Sequence, residues 1–219
     1  MRVFASCVAV ALCAACGQSA APARTDVTDS SSVQAAGVNP ARVARVRPDL
    51  PTGYEFAPLP ATAAPVALWG FGPAWTADPS PCGGLADPVD DGIVHGWSAS
   101  GPGGIVYAVV ADATVALDAA LVDSCGTWTV SAGRHTGGVV NLVAAPAIDS
   151  AASVGMITDA TTTVEGGIET HSHAETFTAY LGDHVVYVTV VTDPGSAAPS
   201  LGPGVASDLL VKTVAAIRG

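Results

Sequence analysis

The sequence predicts an α+β domain: a largely antiparallel sheet of six or seven strands with two helices packed on one face and one disulfide. Three observations lead there. Residues 183–192, DHVVYVTVVT, form a nearly unbroken β-branched and aromatic run between Gly182 and Asp193-Pro194-Gly195, the pattern of a strand buried on both faces and suited to the middle of a sheet. Short apolar stretches separated by Gly and Pro turn signals recur through the second half of the chain. The last stretch, 204–218, places Val205, Leu209, Leu210, Val214 and Ile217 at helical spacing, with Asp208 early and Arg218 at the end, where the helix dipole favours each charge.

In chain order, residues 1–15 read as a secretory signal. Arg2 is a minimal basic start, and the apolar run after it is too short for the roughly 20 helical residues of a bilayer span. It ends Leu12-Cys13-Ala14-Ala15-Cys16-Gly17, which resembles a bacterial lipobox. On that resemblance Cys16 is diacylated and becomes the first residue of a lipoprotein on the outer face of the cell membrane. The pattern departs from the usual one in having Cys13, not Leu, three places before the lipid site. Ordinary secretion with cleavage near Ala21 or Ala23 is the alternative. Residues 16–38, rich in Ala, Ser, Thr and Asp without an aromatic, read as a disordered tether. One α+β domain is expected over 39–219.

Within that domain, 38–50 carries Arg42, Arg45 and Arg47 and ends in Pro48 and Pro51, leaving room for a short helix or turn. Tyr54 and Phe56 alternate ahead of Pro58, as on an edge strand. The Pro-rich stretch 60–81 reads as irregular loop, and 82–92 as a second loop. Residues 93–98 and 105–110 flank Gly101-Pro102-Gly103-Gly104, a hairpin signal. A helix of about ten residues is expected over 115–124. Strands follow at 127–132, 139–144, 152–164 and 169–181, then the 183–192 run and a linker over 195–203.

Nineteen acidic against eight basic residues give a net charge of −11, one unit more negative once Arg2 is removed. No Lys/Arg cluster interrupts this, so nucleic-acid binding is not expected. Of the five cysteines, Cys7 and Cys13 leave with the signal and Cys16 takes the lipid, leaving Cys82 and Cys125. In an oxidising compartment an even pair forms a disulfide. Closing a loop of roughly 40 residues stabilises by about 3 to 4 kcal/mol in the chain-entropy account.

Four residues of a predicted strand, Glu169, His171, His173 and Glu175, share one face. His171 and His173 are candidate metal ligands. A solvent-facing polar stripe is the competing and favoured reading. Trp69, Phe71, Trp75 and Trp97 either line an apolar groove for a glycan or lipid, or serve as core in a chain with few aromatics. No G-x-S-x-G elbow occurs, so a hydrolase would need a triad assembled around His95, His135 or His184. Asp87, Asp90 and Asp91 lack calcium-loop spacing and read as a turn. No phosphate loop or dinucleotide fingerprint is present, and no cofactor is expected.

The lipobox, LPTGYEF at 50–56, Trp69-Gly70, DPSPCGGL at 78–85, Cys125 before Trp128 and LGDHVVYVTV before a terminal helix together resemble a mycobacterial lipoprotein family classed as a domain of unknown function. The pattern is more distantly similar to the extracellular sensor domains of mycobacterial serine/threonine receptor kinases. The resemblance spans roughly 42–218 and implies a cell-envelope protein with a mixed sheet, flanking helices and a ligand-binding cleft. The kinase sensors carry two disulfides, where this chain has cysteines for one. The expected function is therefore a non-catalytic, sensor-like domain, tethered to the membrane, that binds a small apolar or glycan ligand or a protein partner. A hydrolase and a purely structural surface lipoprotein are the alternatives.

Overall fold

A computed structural model describes residues 37–89, 92–195 and 197–219. The signal, the lipid site Cys16, nearly all of the tether, and Asp90 and Asp91 lie outside the described residues. The architecture is α+β, built on one nine-stranded antiparallel sheet rather than six or seven strands. The strands are β1 (Glu55–Ala57), β2 (Trp75–Asp78), β3 (Val94–Gly101), β4 (Gly104–Asp112), β5 (Thr127–Ala132), β6 (Thr136–Val143), β7 (Ala152–Thr163), β8 (Glu169–Tyr180) and β9 (His184–Thr192). Their order across the sheet is β1-β3-β4-β9-β8-β7-β6-β5-β2.

Sequence patterning misses β2. Trp75 and Ala77 alternate with Thr76 and Asp78 between Pro73 and Pro79, a strand short enough to hide in a Pro-rich stretch. Such flanking prolines are tolerated because β2 is an edge strand, pairing only with β5 from Trp75↔Ala132 to Asp78↔Thr129. At the opposite edge, β1 pairs with β3. The β3–β4 hairpin turns at Pro102-Gly103, where Gly103 has φ +101 and a Cβ would meet the Pro199 carbonyl oxygen at 2.9 Å. Strands β5 to β9 form an unbroken meander of neighbours, and β9 then pairs with β4. The 183–192 run is β9, with every residue from Val185 to Val190 buried. It lies inside the sheet, though the central position belongs to β8.

Helices cover both faces, not one. On the first face lie a 3₁₀ helix, Pro40–Asp49, and the last of the four α-helices among the described residues, α4 (Val205–Arg218). Leu209, Leu210, Val214 and Ile217 of α4 pack with Val43 and Val46 onto Trp97, Val106, Val186 and Val188. Lys212 Nζ donates to Asp49 Oδ1 at 2.7 Å, tying the two helices together. On the second face lie three short helices, α1 (Pro65–Leu68), α2 (Gly83–Ala86) and α3 (Ala119–Ser124). They cover Trp128, Val130, Val140 and Met156 with Trp69, Phe71 and Leu85. The expected ten-residue helix is shortened to α3 because Asp118 sits in extended backbone and caps it, Oδ1 accepting from the Ala120 N–H at 2.9 Å. No helix among the described residues is long and apolar enough to cross a membrane.

Cys82 and Cys125 form the expected disulfide, with Cα atoms 5.7 Å apart. It joins the segment leading into α2 to the C-cap of α3. Replacing both cysteines by alanine is expected to lower the unfolding free energy by about 3 to 4 kcal/mol, measured by urea denaturation. A loss below about 1 kcal/mol would mean that the two helices hold their places without the bridge.

Candidate functional site: a cleft beside the disulfide

Strand β4 ends at Asp112, and the chain then runs without regular structure to Asp118, the cap of α3. The Ala113 N–H donates to the Asp183 carbonyl at 3.0 Å, fixing the start of this segment against the β8–β9 turn. Facing it is the chain that leaves α2, Asp87-Pro88-Val89. Since the disulfide pins α2 to the end of α3, the two segments stand apart as walls. Between them lies a cleft of about 610 Å³, within the range of small-ligand sites. One wall carries Gly84, Leu85, Asp87, Pro88 and Val89. The other carries residues 112–118 and Leu121, and Tyr180 of β8 completes the lining.

Tyr180 is only 6 % exposed, and its hydroxyl has no hydrogen-bond partner among the described residues. Burial pushes its pKa from 10.0 up to about 12. Tyr187, two pairs along the same sheet face, is buried too, but its hydroxyl donates to the Ala63 carbonyl at 2.8 Å. Burial, followed by the nearby Asp87 charge, raises its pKa. Beside the cleft, His184 stands between two carboxylates, with Nε2 3.3 Å from Asp112 Oδ1 and Nδ1 2.8 Å from Asp183 Oδ1. The His184 hydrogen bond holds the Asp183 carboxyl below its ordinary value. A smaller pocket of about 350 Å³, between Ala61–Ala64 and Tyr187, shares the Asp87-Pro88-Val89 wall.

The residues singled out from sequence lie elsewhere. Trp97 is fully buried on the α4 face, its indole N–H donating to the Val43 carbonyl at 2.9 Å. Trp69 and Phe71 are buried on the opposite face, and Trp75 packs beside them on β2. The Trp69 N–H donates to Thr176 Oγ1 at 2.9 Å. The four aromatics therefore line no common groove: the core reading holds for Trp69, Phe71 and Trp97, because large apolar surfaces are the scarce resource of this chain.

His171 and His173 do share a face with Glu169 and Glu175, and His173 and Glu175 border a small pocket with Val205 and Ala206 at the start of α4. His173 Nδ1 is 2.7 Å from Asp159 Oδ1, its Nε2 is 3.9 Å from Glu175 Oε1, and His171 Nδ1 is 3.1 Å from Thr161 Oγ1. Among the described residues no group of three or more His, Cys, Asp or Glu is placed to hold a metal ion. The row is a cross-strand polar ladder. It continues over β5 to β7 as an open trough of about 620 Å³ near Arg134 and His135. Sequence reasoning placed residues 115–124 in a helix and Asp87 in a turn, and passed over Tyr180 and Asp112. Only the strand register could have shown that Tyr180 ends β8 facing the disulfide side.

Tyr180 makes the cleft visible to pH. The unfolded chain releases this proton near 10.0 and the folded chain near 12, so the folded state holds more protons between these values and stability falls as pH rises. Tyr180→Phe is expected to remove about 2 to 3 kcal/mol of that alkaline loss, read from urea midpoints between pH 9 and 12. An unchanged pH slope would mean that the hydroxyl is solvated as in a free tyrosine.

The sequence profile of a domain of unknown function, DUF5642, matches residues 39–218. No curated protein matches the chain. In structure, the chain is similar to an uncharacterized protein of Mycobacterium smegmatis, solved by X-ray crystallography. The superposition has a TM-score of 0.62 at 20% identity, covering 83% of this chain and 98% of that one, a likeness of fold. With the profile spanning the whole sheet and both helical covers, the chain belongs to the DUF5642 family.

Proposed function

We propose that this protein is an exported envelope lipoprotein whose α+β domain is a non-catalytic, sensor-like binding domain, and that its ligand occupies the cleft beside the disulfide. The observation that carries the binding reading is the cleft itself. It offers about 610 Å³, largely apolar walls, and a mostly buried tyrosine whose hydroxyl has no protein partner among the described residues. Apolar lining with a few inward polar groups is the general make-up of small-molecule sites. Export is supported by the signal-like residues 1–15 and by the Cys82–Cys125 disulfide, a bond that persists in oxidising compartments. Lipid attachment at Cys16 rests on the lipobox resemblance, and it would hold the domain to the membrane through residues 16–38.

The hydrolase alternative has no comparable support. Of the three candidate histidines, His184 is flanked by Asp112 and Asp183, and no serine hydroxyl bonds His95, His135 or His184 among the described residues. A serine-based triad would need a serine on one of these rings.

Two measurements on protein from an actinobacterial host test the proposal. Intact mass of membrane-extracted protein is expected to show a mature chain starting at Cys16 with a diacylglyceryl group, and Cys16→Ser is expected to release the chain into the medium or leave its signal attached. A mature unlipidated chain starting after Ala21 or Ala23 would replace anchoring by secretion. Native mass spectrometry of the chain from residue 17 onward is expected to show an added small-molecule mass that extracts into solvent. A bare polypeptide mass would contradict a tight carrier role.

A further inference from the structure

The cleft has a definite sign of charge. Its lining contains Asp87, Asp112 and Asp118 and, among the described residues, no lysine, arginine or histidine. His184, outside the lining, has its Nε2 3.3 Å from Asp112 Oδ1. The lysine and arginine side chains among the described residues belong to different parts of the fold. Arg42, Arg45 and Arg47 are on the 3₁₀ helix, Lys212 and Arg218 on α4 across the sheet, and Arg134 is in the β5–β6 turn. An anionic head group entering here would be repelled by Asp112 and Asp118, whereas a cation would be attracted by both.

Tyr180 supplies an independent observation. It is more than nine-tenths buried, lines the cleft, and leaves its hydroxyl without a hydrogen-bond partner among the described residues. The oxygen is not one of the buried polar atoms left unpaired among the described residues, so it reaches the solvent of the cleft, where a ligand can meet it. An N–H donor from a ligand would satisfy the oxygen, and the ring face would attract the same positive head. Behind this polar end, Leu85, Val89, Leu117 and Leu121 provide apolar wall.

From these features we infer that the cleft selects small organic cations, molecules with one ammonium or guanidinium head and a short apolar body, with Asp112, Asp118 and the Tyr180 hydroxyl receiving the head. This rests on the reading of the cleft as the ligand site.

Three probes with the same apolar body separate the two claims: hexylammonium, hexanol and hexanoate, titrated into the ¹⁵N-labelled chain from residue 17 onward at low ionic strength. The expected result is movement of the Leu117, Leu121 and Tyr180 amides, with hexylammonium binding about tenfold more tightly than hexanoate and more tightly than hexanol, as opposite and like charge at a partly screened site require. Added salt narrows that gap. Asp112→Asn/Asp118→Asn brings hexylammonium down to hexanol, while asparagine keeps the α3 cap. If hexanoate binds as tightly as hexylammonium, or hexylammonium no better than hexanol, the charge selection is wrong and the cleft remains a site. Should none of the three move those amides, both readings fall.

Discussion

The β4–β9 pairing is the contact on which this architecture depends. Strands β5 to β9 follow one another as neighbours, and β3 with β4 forms a separate hairpin. Only the ladder from Ile105↔Val191 to Asp112↔His184 makes these one sheet. It is a pairing between segments far apart in sequence, so its loop entropy is a cost of folding that burial must offset. Strand β9 supplies that burial on both faces. Val186 and Val188 meet α4, while Val185 and Tyr187 meet the α1 side. Each fully buried aliphatic side chain of this size stabilises by about 1.5 to 3 kcal/mol. Thr189, the polar exception in the strand, shares a hydrogen bond with Thr176, which accepts from Trp69. No buried hydroxyl in that chain of contacts is left unpaired.

The same seam sets the position of the cleft. Its last pair, Asp112↔His184, is where β4 gives way to the irregular wall leading to α3. Tyr180 reaches the cleft because β8 ends opposite Val185, beside that pair. The disulfide then holds the other wall at a distance by joining α2 to the end of α3. A cleft made by a sheet end and a covalent tie does not depend on helix length, which explains how helices of four and six residues suffice to form it. The charge follows the same division. Basic residues cluster on the 3₁₀ helix and α4, and aspartates line the cleft on the other face.

Local pattern revealed the elements that have a strong period of their own. Strand β9, the β3–β4 hairpin, β5 and α4 all emerge close to their observed limits, since alternation, turn glycines and a 3.6-residue stripe are properties of consecutive residues. Strand β2 did not, because it is a four-residue edge strand whose partner β5 lies some 50 positions away, as in Asp78↔Thr129. The placing of helices on both faces was also hidden, as it follows from which way each strand turns its side chains once the sheet order is set. For the site the difference is sharper. Aromatic scarcity pointed to Trp69, Phe71, Trp75 and Trp97, but scarcity equally means that the core must use them. The cleft draws on 84–89, 112–121 and Tyr180, three segments with no common motif, so only the register brings them together.

The central claim is that the cleft between α2 and α3 is where this domain holds its ligand. A crystal structure of the mature chain purified from an actinobacterial envelope, without added small molecules, tests it most directly. The account predicts density between Leu85 and Leu121 that ends within hydrogen-bond distance of the Tyr180 hydroxyl. Ligand density over Arg134 and His135 on the β5–β7 trough, with the cleft holding solvent alone, would contradict it.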